Sequence, residues 1–142
     1  MARQNIRKIL VPLDGSKNSM RGLDEAISIA KKCNASITGL HTIPIYPRNL
    51  ADAIMPYQIH MKKEAEDFMI KAKKRAGRDG IRLTKKIIYG SPINEITDLA
   101  KNKNFDMIVI GSRGHTGMKE VFLGSVANGV VHRSKVPVLV VK

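Results

Sequence analysis

The stretch Met107-Ile-Val-Ile-Gly-Ser-Arg-Gly-His-Thr-Gly-Met-Lys-Glu-Val-Phe-Leu-Gly-Ser125 joins an apolar segment to a glycine-containing loop, and the helix-like segment Val126 to Arg133 follows it. Strand, glycine loop and helix in this order favour an anion site. Glycine lets the backbone approach a ligand closely, and the first turn of a helix presents unpaired N–H groups. The loop has the spacing G-x2-G-x9-G-S, and neither the Walker A pattern nor the dinucleotide pattern G-x-G-x-x-G occurs in the chain. The loop therefore predicts a phosphate site of a different kind.

The length and composition of the chain indicate one compact domain over residues 1–142. The sequence has 142 residues, of which 43% are hydrophobic, and a chain of about 150 residues buries roughly 68 to 70% of its unfolded surface. No stretch is long and apolar enough to span a membrane. The lone cysteine, Cys33, cannot form an internal disulfide, which fits a reducing compartment. We expect a soluble, cytoplasmic protein without a membrane partner.

The formal net charge of +13 has two interpretations, a polyanion-binding surface or an ordinary solvated basic surface. The Lys and Arg residues are spread along the chain without one dominant block, and acidic residues lie among those of segment 62–78. Only 4% of the residues are aromatic, which leaves few platforms on which unpaired bases can stack. The solvated surface is therefore the favoured interpretation, and nucleic acid is not the expected partner.

Apolar segments alternate with helical patterns along the whole chain. Strands separated by helices cannot be joined by hairpins, so the pattern predicts an α/β fold. We expect an open, Rossmann-like sheet of five parallel strands with helices on both faces. The predicted strands cover residues 8–13, 36–43, 81–89, 107–110 and 136–141, and the predicted helices cover about 20–32, 60–76, 93–103 and 125–134.

The strand order follows from the position of the ligand. In such sheets ligands bind beyond the carboxyl ends of the strands, where the winding direction reverses. If the glycine loop and the loop that carries Asp14 face one ligand, the first and fourth strands are neighbours and the order is 3-2-1-4-5. Thr42, at the end of the second strand, then borders the crevice, whereas His41 is more simply a packed side chain. The segment Pro44 to Gln58 contains three prolines, so we expect it to be irregular until about Ile59 and to form either a lid or a partner surface.

Five segments of the sequence resemble the universal stress protein family. They are Ile9 to Ser16, Gly39 to Thr42, Asp106 to Gly114, Gly124 to Ala127 and Val136 to Val141. The resemblance covers nearly the whole chain. Its most specific part is the spacing G-x2-G-x9-G-S, which in that family marks the members that bind ATP.

The resemblance implies an ATP site with Mg²⁺ or Mn²⁺ accompanying the triphosphate. Thr42 matches the backbone position that recognises adenine, and Asp14 matches a residue beside the nucleoside that can also assist the metal ion. Arg113 lies inside the loop, where a cation can screen the phosphates. Considered singly, Asp14-Gly15 is an ordinary turn pair and Ser125 an ordinary helix cap. The candidate binding residues are Pro12, Leu13, Asp14, Thr42, Ile110, Gly111, Arg113, Gly114, Gly124, Ser125 and Val126.

The expected function is that of an ATP-binding stress-response protein, a nucleotide-dependent switch recognised by an unidentified protein partner. Hydrolysis needs a positioned water and stabilisation of charge at the γ-phosphate. Asp14 is the only acidic residue that the predicted strand order brings to the crevice, so no catalytic residue is assigned. A slow, partner-activated ATPase and a basic protein associating with nucleic acid remain alternatives. The resident ligand can be ATP, AMP or a cyclic nucleotide.

The segment Val136 to Val141 predicts how the protein assembles. It is apolar and occupies an edge of the sheet in the deduced order, and an unpaired apolar edge strand favours pairing with another chain. Antiparallel pairing of this strand with its copy closes a two-fold homodimer. The family resemblance implies the same assembly.

Overall fold

In the computed structural model, residues 5–113 and 122–142 are described, and strands alternate with helices throughout these ranges. A short 3-10 turn, Arg48–Leu50, precedes the second helix. No helix of the described residues has the length and apolar character needed to cross a bilayer. The elements are β1 Lys8–Pro12, α1 Lys17–Cys33, β2 Ser36–Ile43, α2 Ala51–Arg78, β3 Leu83–Tyr89, α3 Pro92–Asn102, β4 Met107–Gly111, α4 Ser125–Arg133 and β5 Val138–Val141.

The five strands form one parallel sheet in the order β3-β2-β1-β4-β5. The first strand pairs with β2 on one side, Pro12 lying opposite Leu40, and with β4 on the other, Ile9 lying opposite Met107. The winding direction therefore reverses between β1 and β4. The predicted strand order is confirmed, and the reversal lies between the two strands at which the crevice is expected.

The two faces of the sheet are covered by different helix pairs, because successive residues of a strand point to opposite faces. Ile9 and Val11 belong to the core that α1 and α2 cover, which also contains Met69. Leu10 belongs to the core on the α3 and α4 face, which also contains Val130. The alternation predicts helices on both faces, and the structure confirms them.

Three serines lie at or beside the starts of helices. Ser16 caps α1, and its Oγ accepts a hydrogen bond of 3.1 Å from the N–H of Ser19. Ser91 occupies the cap position of α3, but its side chain makes no capping bond. Ser125 is the first residue of α4 rather than its cap, which is Gly124. Two strands also begin two residues later than predicted, β3 at Leu83 and β5 at Val138.

The expectation that the chain stays irregular until Ile59 is wrong. Helix α2 begins at Ala51 and contains Pro56. A proline inside a helix removes one hydrogen bond to the carbonyl four residues earlier, here the carbonyl of Asp52. Both residues are exposed, so water can bond to the carbonyl that the proline leaves unpaired. This first half of α2 has no buried residue before Ala65.

Candidate functional site

A cavity of about 240 Å³ lies at the carboxyl edge of the sheet, where β1 and β4 separate. This volume is near the lower end of the roughly 300 to 1,000 Å³ typical of small-molecule sites. Gly114 lies outside the described residues, as do His115 and Lys119 of the same loop. The other ten candidates all line the cavity, namely Pro12, Leu13, Asp14, Thr42, Ile110, Gly111, Arg113, Gly124, Ser125 and Val126.

Seven further residues line this cavity without having been identified as ligand-binding candidates from the sequence. Pro92 and Ile96, from α3, could not be predicted as cavity residues, because only the strand ends located the crevice in the sequence. How α3 packs beside α4 depends on the tertiary structure. Ser19 of α1 and Ser112 after β4 are single hydroxyls without a distinguishing pattern, and the apolar residues are indistinguishable in sequence from ordinary core. They are Ser19, Leu40, His41, Pro92, Ile96, Ser112 and Ala127.

The loop after β1 holds Asp14 in a turn of defined geometry. The N–H of Ser16 donates to Oδ1 of Asp14 at 2.9 Å, which is the hydrogen bond of an Asx-turn. The N–H of Asp14 donates to Oγ of Ser19 at 3.4 Å. Asp14 is therefore both the turn residue and a cavity residue, and the turn fixes where its carboxylate lies.

His41 supports the same loop from β2. Its Nδ1 lies 2.7 Å from the carbonyl oxygen of Leu13, and because a carbonyl can only accept, Nδ1 carries the proton. The ring of Phe68, from α2, meets the imidazole edge-on with centroids 4.9 Å apart. The same phenyl ring covers Gly15, where an added Cβ would lie 2.8 Å from Cδ2 of Phe68. The loop after β1, which lines one side of the cavity, is thus packed against α2 through Phe68.

The loop after β4 is attached to the start of α1. The N–H of Arg113 donates to Oδ1 of Asn18 at 2.7 Å, so this amide has an acceptor within the protein. A Cβ on Gly111 would lie 2.7 Å from the same oxygen and 2.8 Å from the Asn18 carbonyl. The close approach of α1 therefore requires glycine at position 111. The N–H of Gly124 donates to the Ser112 carbonyl at 2.7 Å, which brings the two ends of the glycine loop together.

The start of α4 brings backbone N–H groups to the cavity. No side chain caps this helix, and its first residues Ser125, Val126 and Ala127 line the cavity. Their N–H groups have no acceptor within the helix, and together they carry a partial positive charge. A phosphate group fits these donors, with the cation of Arg113 among the lining residues. The described residues contain no group of three His, Cys, Asp or Glu side chains that could hold a metal ion by themselves.

Comparison with known proteins relates both the sequence and the fold to one family. The sequence model of the universal stress protein family matches residues 5–142. Universal stress protein MJ0531 of Methanocaldococcus jannaschii is 34% identical over 139 residues, which cover 96% of this chain and 82% of that protein. The structure of universal stress protein UspA from Lactobacillus plantarum is similar with a TM-score of 0.90 and 26% identity, covering 99% of this chain and 100% of that one. A universal stress protein in complex with cAMP is similar with a TM-score of 0.78 and 26% identity, covering 98% and 99%.

Proposed function

Because this chain belongs to the universal stress protein family, we propose that its cavity binds an adenine nucleotide, with ATP as the resident ligand, and that a partner protein distinguishes the bound from the free state. The observation that carries the proposal is the uncapped first turn of α4, which opens onto the cavity. The related structure in complex with cAMP supports an adenine nucleotide as the ligand class.

The two ends of the cavity suit different parts of a nucleotide. Pro12, Leu13, Thr42 and Ile110 form the nucleoside end in this proposal, where apolar side chains and the backbone of strand ends surround the base. The phosphate end consists of Gly111, Arg113, Gly124, Ser125 and Val126, together with Gly114. At Gly111 it is the backbone that borders the ligand.

Charge at the cavity favours a nucleotide that brings a divalent cation. Arg113 and Asp14 are the only Lys, Arg, Asp or Glu residues among the described lining residues, so side chains add no net positive charge. The α4 terminus contributes about half an elementary charge, which is small against a triphosphate. We therefore include Mg²⁺ or Mn²⁺ in the proposal, because a bound divalent cation offsets the negative charge of the phosphates. Asp14 is the carboxylate that would assist in holding this ion.

The link from the cavity to α2 suits a switch. Asp14 lines the cavity, and the next residue, Gly15, lies so close to Phe68 of α2 that an added Cβ would be 2.8 Å from its ring. A shift of this loop toward α2 on nucleotide binding would therefore require Phe68 to move. Helix α2 is therefore the element through which occupancy reaches the surface in this proposal.

Assembly through β5 is part of the proposal. This strand is an edge of the sheet, and Leu139 at its centre is 38% exposed. Antiparallel pairing with the copy in a second chain would satisfy the edge backbone groups and cover this side chain.

Calorimetry on protein stripped of nucleotide tests the ligand. Ser125→Asp places a carboxylate at the start of α4, where it is compatible with the helix dipole but repels phosphate. We expect ATP with magnesium to bind wild type and to bind Ser125→Asp roughly tenfold or more weakly, a loss of about 1.4 kcal/mol or more. The matched control is Asn102→Asp, an equal charge change at the exposed end of α3.

The control variant should bind ATP as wild type does. No binding to wild type up to low millimolar ATP, or equal weakening in both variants, would contradict the proposal. Mass spectrometry of nucleotide released by denaturation identifies the resident ligand and distinguishes ATP from AMP and cyclic nucleotides.

A further inference from the structure

The fold places eleven of the 25 Lys and Arg residues of the chain on one edge of the sheet. In a parallel α/β sheet the starts of the strands and the ends of the helices lie at the same edge. We call this the amino edge and define it by residues 5–8, 30–36, 75–83, 99–107 and 130–138, which precede the strands or end the helices. It lies opposite the nucleotide cavity.

The amino edge carries most of the excess charge. Eleven Lys and Arg residues lie in it against two acidic residues, which leaves a formal charge of +9 out of the +13 of the whole chain. The acidic residues are Asp79 and Asp106. The basic residues are Arg7, Lys8, Lys31, Lys32, Arg75, Arg78, Arg82, Lys101, Lys103, Arg133 and Lys135.

The opposite edge is neutral by the same count. Its described residues are the strand ends and first helical turns, 12–20, 42–54, 89–95, 111–113 and 122–128. They contain three basic and three acidic residues, Lys17, Arg48 and Arg113 against Asp14, Asp52 and Glu95. The asymmetry is therefore a property of the fold and does not simply reflect the overall composition.

Helix dipoles explain only part of the basic edge. Cations stabilise the last turn of a helix, and six of the eleven lie in last turns. The ends of the four helices contribute about half a negative charge each, which reduces the formal charge of the amino edge from +9 only to roughly +7. The other five, Arg7, Lys8, Arg82, Lys103 and Lys135, lie outside the helices.

Most of the basic side chains of the amino edge are exposed and form no ion pair with an acidic residue among the described residues. Two of the eleven form ion pairs within the described residues, Lys31 with Asp79 at 3.2 Å and Arg75 with Asp24 at 3.4 Å. Asp106 is occupied by the N–H groups of Arg7 and Lys8, which donate to its Oδ2 at 2.8 and 2.9 Å. Nothing among the described residues of this edge neutralises the remaining nine.

The edge also has a concave region. A depression of about 590 Å³ is lined by Arg7, Lys101 and Lys135, with Asp106 at its side. Three cations from three separate segments of the chain thus surround one concavity. Such an arrangement attracts an anion more strongly than the same charges on a flat surface, because low-dielectric walls focus the field.

We infer that the amino edge is a second binding surface, for the phosphate backbone of duplex nucleic acid. Five strands at a spacing of about 4.8 Å make this edge roughly 19 Å wide. A duplex carries one charge per ~1.7 Å of its axis with both strands counted, so about 11 phosphates lie along such a length, and only those on one side of the duplex face the protein. The nine basic residues of the edge that form no ion pair within the described residues are enough to contact these phosphates.

A duplex fits better than a single strand or a small anion. The only Phe, Tyr or Trp in the defined segments is Phe105, which is 7% exposed, so unpaired bases find few stacking platforms. A small anion would occupy the depression and leave most of the basic residues unused. The scatter of charges along the sequence disfavoured nucleic acid as a partner, and the fold removes that reason.

Fluorescence anisotropy with a labelled duplex of about 24 base pairs and mixed sequence, titrated at salt concentrations from about 50 to 200 mM, tests the inference. We expect binding whose logarithmic affinity falls linearly with the logarithm of salt concentration. The triple variant Lys101→Gln, Lys103→Gln, Lys135→Gln should bind more weakly. Its slope should be smaller by about 2 to 3, because each phosphate that a cation neutralises contributes about 0.9 to the slope. The matched control is Lys62→Gln, Lys63→Gln, Lys71→Gln on exposed positions of α2 outside this edge.

The control triple removes the same charge and should keep the slope and nearly all of the affinity. Equal losses in the two triples would mean that overall charge alone drives association, which overturns the inference. Absence of binding at the lowest salt, a slope near zero, or binding to anionic vesicles of phosphatidylserine without binding to the duplex would overturn it as well. Thermal unfolding of both variants and their ATP affinity should match wild type, which separates this surface from the nucleotide cavity.

Discussion

The Oδ1 atom of Asn18 accepts a hydrogen bond of 2.7 Å from the backbone N–H of Arg113. Asn18 lies at the start of α1 and is 6% exposed. Its Nδ2 donates to the Val141 carbonyl at 3.4 Å, at the end of β5. One side chain therefore joins the beginning of α1, the loop after β4 and the last strand. It holds the loop after β4 against the start of α1, which follows the loop after β1, and both loops line the cavity.

Replacing Asn18 should separate its structural role from its effect on the ligand. Asn18→Ala leaves the Arg113 N–H without its acceptor, so we expect a loss of about 1 to 3 kcal/mol in unfolding free energy and weaker ATP binding. Asn18→Asp keeps the acceptor and suits the helix start, but it loses the donor to the Val141 carbonyl, so we expect a loss of stability that is smaller than that of Asn18→Ala. Its negative charge should still weaken ATP binding. Urea denaturation and calorimetry measure the two effects, and unchanged stability in Asn18→Ala would contradict the assignment.

Gly15 should tolerate alanine poorly for two reasons that can be separated. Its φ is +80°, and an added Cβ would meet Phe68 at 2.8 Å. Gly80 has a φ of +71° with nothing within 4 Å, so Gly80→Ala measures the backbone cost alone, about 1 to 2 kcal/mol. We expect Gly15→Ala to cost more than Gly80→Ala in chemical denaturation. In a Phe68→Ala background the excess should disappear, giving a coupling of about 0.5 to 3 kcal/mol. Equal costs for both alanine variants would contradict the contact.

Two substitutions of His41 test its hydrogen bond to Leu13 and its ring contact with Phe68 separately. His41→Phe keeps an aromatic ring beside Phe68 but removes the donor to the Leu13 carbonyl. Leu13 is 2% exposed, so we expect a loss of about 1 to 3 kcal/mol in stability from the unpaired carbonyl, together with weaker nucleotide binding. His41→Asn retains a donor near the position of Nδ1 and should preserve ATP affinity better. Calorimetry that ranks the two variants in the reverse order would show that the ring contact matters more than the hydrogen bond.

Pairing of β5 strands should depend on Leu139. Lysine at an edge strand opposes pairing because its charge cannot be buried between strands, so Leu139→Lys should convert a dimer to a monomer in sedimentation velocity. Ile59→Lys is the control, since Ile59 is 63% exposed and lies on α2. A monomeric wild type at high protein concentration, or dissociation by the control variant, would contradict assembly through β5.

Much of the fold could be predicted because its determinants are local. The bounds predicted for β2 and α3 from their apolar residues lie close to the observed bounds. The strand order followed from requiring Asp14 and Gly111 to face one ligand. The part of α2 before residue 60 escaped prediction because Pro56 lies where both it and Asp52 are solvated, and solvation is not visible in a residue pattern. Pro92 and Ile96 escaped as cavity residues because their position depends on how α3 packs beside α4.

The sequence by itself determined the alternation of strands and helices, the glycine loop and the family, since each depends on residue types at short spacing. The tertiary structure decided two things that no local pattern contains. Gly111 is glycine because α1 brings Asn18 within contact distance of it. Eleven of the 25 basic residues, dispersed along the chain, meet at one edge because parallel strands joined by helices bring every strand start and helix end to the same side.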